Sequence, residues 1–161
     1  MERILTLNIG ATRLALAEFE VRAGRGPGLL RYAFGDLPDG STDNPTAFGI
    51  EVERVLRGMM VMSGIRPGRI HVALSGQMAF PRFIKVLADS PEKMDEQIRF
   101  EQEQAAPFPL NEAIFSHALV GEPDVGEQHV MIIASREALV SAVTRALLNM
   151  GCEPDVVDVA P

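Results

Sequence analysis

One cysteine, no tryptophan and no basic excess are what the 161-residue sequence withholds. With Cys152 alone, no intramolecular disulfide forms. A small secreted domain usually carries an even set of cysteines, so a reducing compartment is expected. No apolar run approaches the roughly 20 residues that a membrane-spanning helix needs. Leu14-Ala15-Leu16-Ala17 ends like a signal-peptide cleavage site, but Glu2 spoils the basic start and Asn8, Thr12 and Arg13 interrupt the apolar stretch. Lysine and arginine total 15 against 22 acidic residues, a net charge of −7. That balance argues against nucleic acid, which needs a basic stripe, and against an electrostatic anchor on anionic lipid. A soluble cytoplasmic protein is expected. At 47% hydrophobic residues, the chain has enough apolar surface for a core, in one domain or two small ones.

The first half of the pattern reads βββαβ. Ile4 to Ile9 is an apolar strand ending at Gly10, Arg13 to Val21 alternates, and Leu29 to Phe34 follows the turn-rich Gly24 to Gly28. Together they predict an antiparallel meander. The glycine run lacks the trailing Gly-Lys-Ser/Thr of a P-loop and reads as a loop. Asn44-Pro45 is a cap followed by proline at the first helical position. Phe48, Val52, Val55, Leu56, Met59 and Met62 recur at helical spacing, with Met60 beside them, and Gly64 closes the helix. Ile70 to Leu74 is a short strand.

The second half starts a new unit. Ala79 to Leu87 is a strand whose Pro81 suggests an edge or bulge. Ser90-Pro91 opens a helix to about Ala105 with acidic Glu92, Asp95 and Glu96 in its first turns and a thin apolar face of Met94, Ile98 and Ala105. Ile114 to Val120 and His129 to Ala134 predict a hairpin, whose polar tip from Gly121 to Gln128 is the weakest covalent link. A third helix capped by Ser135 carries Leu139, Val143, Ala146, Leu147 and Met150 and ends at Gly151, before a last strand from Val156 to Val159. That strand runs straight to Pro161, where a crossover helix would be usual, so the polypeptide is expected to be part of something longer.

Three segments in order carry a resemblance. Ile4-Leu5-Thr6-Leu7-Asn8-Ile9-Gly10-Ala11-Thr12-Arg13 is similar to the first phosphate hairpin of the actin-like and sugar-kinase superfamily. Glu92 to Phe108, an acidic helix closing on Pro107-Phe108-Pro109, resembles the PilM family of type IV pilus assembly proteins, relatives of FtsA. Gly151-Cys152-Glu153-Pro154-Asp155-Val156-Val157-Asp158-Val159 resembles the return strand of the same family. The resemblance implies a mixed α/β (α+β) chain forming the front lobe of an actin-like, ribonuclease H-like fold with an inserted β-α-β-β-α subdomain. Residues 1–76 would form the first subdomain and 77–151 the insertion, with 152–161 returning towards the first.

The resemblance also implies chemistry. Gly10, Ala11 and Thr12 would offer N–H groups and a hydroxyl to a phosphate, Arg13 would stand where lysine is common, and Asn8 occupies the place of an aspartate that holds Mg²⁺ waters. Asn8 brings no charge, and the same residues also read as an ordinary hairpin turn. No cofactor is expected in this chain, with ATP and Mg left to a full-length protein, and the isolated chain is not expected to be an enzyme. Cys152 reads as a buried thiol. His117 and His129 read as a diagonal pair on one side of the hairpin, without the further ligands of a metal site. By resemblance the function is a cytoplasmic scaffold, peripheral to the inner membrane, that binds the short cytoplasmic tail of a PilN-like membrane protein. Pilus motor ATPases and self-association are further partners it allows. Phe80 and Phe83, with Phe100 and Phe108 second, are candidate anchors for that tail in a groove between the two units; each is otherwise a core residue. The alternatives are half of an actin-like ATPase or sugar kinase, or an FtsA-like cell-division protein.

Overall fold

A computed structural model describes residues 2–40, 43–87, 90–105, 107–121 and 127–160. The hairpin tip expected as the weak link lies largely outside them. The chain forms two compact units, Met1–Gly76 with Ala138–Pro161, and Gln77–Glu137.

The first unit is a five-stranded sheet: β1 (Glu2–Ile9), β2 (Arg13–Val21), β3 (Gly28–Asp36), β4 (Arg69–Leu74) and β8 (Glu153–Val159), ordered β3-β2-β1-β4-β8. β1, β2 and β3 form the expected antiparallel meander, while β4 lies parallel to β1 and β8 parallel to β4. Alternation sends Leu5, Leu7, Ile9, Leu14, Leu16, Ile70, Val72 and Leu74 to one face, and all are buried. Helix α1 (Pro45–Ser63) packs there with Phe48, Val52, Val55, Leu56 and Met59. Its ends follow the sequence: the Asn44 side chain accepts from the Ala47 N–H at 3.1 Å, and Gly64 closes it at φ 70°. Met62, expected on the apolar stripe, is instead the most exposed large apolar residue of the helix, because it stands in the last turn at the edge of the stripe, turned away from Leu56 and Met60.

Two glycines set how closely α1 is seated. A Cβ on Gly35 of β3 would stand 2.4 Å from Val55 Cγ1 and 2.8 Å from Met59 Sδ. On the other side, a Cβ on Gly49 would stand 3.0 Å from the Ala142 carbonyl oxygen. Ala142 belongs to α3 (Glu137–Asn149), so this third helix packs beside α1 and buries Leu139, Val143, Ala146 and Leu147. The unit boundary therefore falls at Glu137/Ala138 rather than at residue 151, although the element order β-α-β-β-α is the expected one.

One carboxylate shares the buried face. Glu18 of β2 is 3% exposed, and it accepts from Arg3 of β1 and from Arg31 of β3 at 2.9 Å. Arg3 also donates to the Arg66 carbonyl at 2.5 Å. Three strands and the turn before β4 are thus tied to one charge.

The second unit is a three-stranded antiparallel sheet of β5 (Ala79–Val86), β6 (Ala113–Leu119) and β7 (Gln128–Arg136), ordered β5-β7-β6. Pro81 does stand on an edge strand. Helix α2 (Pro91–Ala105) covers β5 and β7, and Val86, Ile98, Val130 and Ile132 form the core with Met94, Ile84 and Phe115 around it. Met94 and Ile98, one turn apart on the thin stripe of α2, pack inward. Ser135 does not cap α3: it is a buried β7 residue whose hydroxyl donates to the Met78 carbonyl at 2.8 Å. His117 and His129 do not share a face either. Their register, His117 opposite Ile132 and the Val120 N–H bonded to the His129 carbonyl, points them to opposite sides. No helix among the described residues is long and apolar enough to cross a membrane.

Three substitutions test these contacts. Gly49→Val should cost about 2 kcal/mol in urea unfolding by pushing α3 off α1. Gly58→Ala on the same helix, where an added Cβ meets nothing within 4 Å, should gain about 0.5–1 kcal/mol. For Glu18, burial works against its charge, but hydrogen bonds and attraction from Arg3 and Arg31 outweigh it, so its pKa lies below the ordinary 4.5. A depressed carboxylate adds stability that is complete above its unfolded value and lost as pH falls through the folded one. Stability measured downwards from pH 5 should therefore fall less steeply in Glu18→Gln, which at pH 7 should be about 2 kcal/mol less stable than the wild type.

Candidate functional site

The meander turn is tight. The Gly10 N–H donates to the Arg13 carbonyl at 2.9 Å, and a Cβ on Gly10 would stand 2.9 Å from that same oxygen. The Thr12 carbonyl accepts from the Leu37 N–H at 2.8 Å, and Arg13 donates to the Asp36 carboxylate at 2.8 Å. Of the residues expected to face a phosphate, Gly10 thus spends its N–H within the turn, and Arg13 spends its charge on a neighbouring carboxylate. Ala11 and Thr12 complete the turn, half-buried and exposed respectively.

Asn8 points away from the helices, onto the open face of the sheet. The register lines up two rows across all five strands there. One runs Phe34, Ala15, Asn8, Ala73, Asp158 and the next Tyr32, Ala17, Thr6, His71, Val156. Small side chains floor the middle, with Tyr32 and Phe34 packed edge to face at 5.7 Å along one side. The result is a trough of about 460 Å³. It reaches the carboxyl ends of β1, β4 and β8, where open α/β sheets place ligands. Asp158 in this row was not singled out from sequence, nor were Tyr32 and Phe34. The signal was present in the period of two, which sets Leu30, Tyr32 and Phe34 on one face.

The four phenylalanines are not brought together. Phe80 pairs with Ala134, on the α2 side of its sheet, and packs edge to face against Phe108 at 5.6 Å, with the Arg136 guanidinium 5.7 Å above the Phe108 ring. Phe83, three residues on, points to the opposite face. It pairs with Met131, is 69% exposed, and shares a helix-free apolar surface with Ile133 and Ile114. Phe100 stands apart beside Leu87 and Ile84, where α2 meets the end of β5. Cys152 is a fully buried free thiol, and burial pushes its pKa up. Among the described residues, no three histidine, cysteine or acidic side chains stand close enough to hold a metal ion.

The family described as type IV pilus assembly protein PilM matches residues 6–161. The chain belongs to that family. A solved PilM–PilN type IV pilus biogenesis complex resembles this PilM-family chain at a TM-score of 0.73 and 29% identity, over 97% of this chain and 47% of that one. The cytoplasmic domain of EpsL, an inner-membrane component of the Vibrio cholerae type II secretion system, gives 0.60 and 10%, over 98% and 57%. A Bacteroides thetaiotaomicron protein with an actin-like ATPase fold gives 0.50 and 9%, over 97% and 51%. These two show the fold alone, which is the mixed α/β, actin-like architecture expected from sequence. Among curated proteins none matches closely. The chain spans about half the length of the solved relatives it matches.

In this PilM-family chain the turn offers a triphosphate no unpaired arginine and no strand-end carboxylate at position 8. Calorimetry with Mg-ATP should therefore show binding no tighter than about millimolar. A low-micromolar dissociation constant would overturn this expectation.

Proposed function

We propose that the chain serves as a cytoplasmic scaffold of the type IV pilus inner-membrane assembly platform and binds the short cytoplasmic tail of a PilN-like membrane protein. The observation that carries this reading is the 29%-identical relative, solved as a complex of PilM with PilN. The scaffold is peripheral to the membrane through that partner, and motor ATPases are a second class of partner. It acts by binding and carries no catalytic centre of its own, a reading supported by neutral Asn8 and by the bonded Gly10 N–H.

A short tail needs a few apolar anchors and an extended course. Phe83 is the candidate anchor that best meets this need, exposed on the helix-free face of the second unit with Met131 and Ile133 beside it. Phe80, 41% exposed and stacked on Phe108, serves the packing of the turn that follows α2. Ordering a flexible tail costs about 2–5 kcal/mol, so micromolar affinity is expected. Fluorescence anisotropy with a labelled tail peptide tests the assignment. Phe83→Ala should weaken binding by about 2 kcal/mol with the melting temperature unmoved, whereas Phe80→Ala should lower the melting temperature. Wild-type affinity in folded Phe83→Ala sinks the anchor, and no binding by the wild type sinks the reading.

A further inference from the structure

Four strands stand at sheet edges: β3, β8, β5 and β6. A free edge is a template for pairing, and proteins blunt it with charge or proline. β3 carries Arg31 and Asp36, β8 carries Glu153, Pro154, Asp155 and Asp158, and β5 carries Pro81, Arg82 and Lys85. β6 reads Ala113-Ile114-Phe115-Ser116-His117-Ala118-Leu119. It has no proline, no glycine and, alone among the eight strands of the described residues, no aspartate, glutamate, lysine or arginine. Two of its apolar side chains stay open, Leu119 58% and Ile114 43% exposed, while Phe115 packs on the edge of the core.

The register fixes which groups the edge offers. The Val120 N–H donates to the His129 carbonyl at 2.9 Å, so bonded pairs fall on every second residue from there. Ser116 and Ala118 therefore face β7 with their peptide groups, while Ala113, Phe115, His117 and Leu119 turn theirs outward. Among the described residues no strand pairs with them.

We propose that this edge pairs with β6 of a second copy, antiparallel about a two-fold axis at Ser116. The sequence is complementary to itself in that register. Leu119 falls opposite Ala113, Ile114 opposite Ala118, Phe115 beside His117, and Ser116 opposite Ser116. Every large aliphatic side chain meets a small one, the two rings meet each other, and the two hydroxyls meet at the axis, the kinds of pair that favour a ladder. This complementarity of β6 to itself selects a second copy over other occupants, and charge does not oppose it at the contact. The chain carries −7, so copies repel over most of their surface, and β6 is the one strand that brings no charge to its own contact. The two sheets would join into one of six strands with about eight new backbone bonds. The contact is small, so association is weak and reversible.

The inference is independent of tail binding, and its test reads a different signal. Sedimentation of the full chain over a concentration series should show a monomer–dimer equilibrium. His117→Pro removes an outward N–H and no β7 bond, so it should raise the dimer dissociation constant at least about tenfold. Ser116→Cys should cross-link through the axis, since a non-bonded antiparallel pair stands about 4.5 Å apart at Cα, within disulfide reach. Cross-linking should be about tenfold faster than in the exposed control Val61→Cys, with Cys152 buried in both. Three results overturn the proposal: a monomer at every concentration, a dimer indifferent to His117→Pro, or a dimer in which Ser116→Cys cross-links no faster than Val61→Cys.

Discussion

The neck of the inserted unit is the constraint on which the rest depends. Ala79, at the start of β5, pairs with Ser135, near the end of β7, and the Ser135 hydroxyl donates to the Met78 carbonyl. These bonds bring the two ends of a long insertion side by side, so the chain leaves the first unit after Gly76 and re-enters it at Ala138. Without that closure the first unit would have to hold the ends of a long loop together at an entropic cost. With it, α3 and β8 arrive where α1 and β4 can receive them.

What α3 and β8 then do is complete a sheet that cannot be finished locally. Among the described residues, β4 gains its second neighbour from β8, and α1 gains a helix beside it from α3. The seating of α1 depends on the absence of a side chain at two points, Gly35 under it and Gly49 beside it. The charge on Glu18 works in the same direction. Sitting on the buried face, it holds β1, β2 and β3 in one register through Arg3 and Arg31, where a wrong register would leave a carboxylate unpaired in the core.

Covering one face of the sheet with both helices leaves the other face open. That is why Asn8 and Asp158 reach solvent in one row, and why Tyr32 and Phe34 line a trough instead of a core. The second unit repeats the plan on a smaller scale, with α2 on one face and Phe83 on the other. Each unit thus keeps a packed side for stability and an open side that reaches solvent.

Much of this was legible in the residues. The Asn44 cap, the Gly64 stop, the meander and the acidic helix ending at a Pro-Phe-Pro turn are local, set by dihedral preference and hydrophobic period within a few residues. The family was legible for the same reason, because its marks are short and lie in order. The allotment of α3 was not, since a stripe of Leu139, Val143, Ala146 and Leu147 does not name the surface that buries it, and the close approach of Ala142 to Gly49 is made by residues far apart in the chain. Ser135 looked like a cap because its residue type suits one, yet the strand runs through it and its hydroxyl is taken by a carbonyl far away in sequence. The four phenylalanines and the two histidines looked like groups because proximity in sequence says nothing of sheet face until register is fixed. The sequence by itself determined the elements and the family, through interactions that span a turn or two. Tertiary structure alone decided which faces are covered, because burial depends on partners distant along the chain.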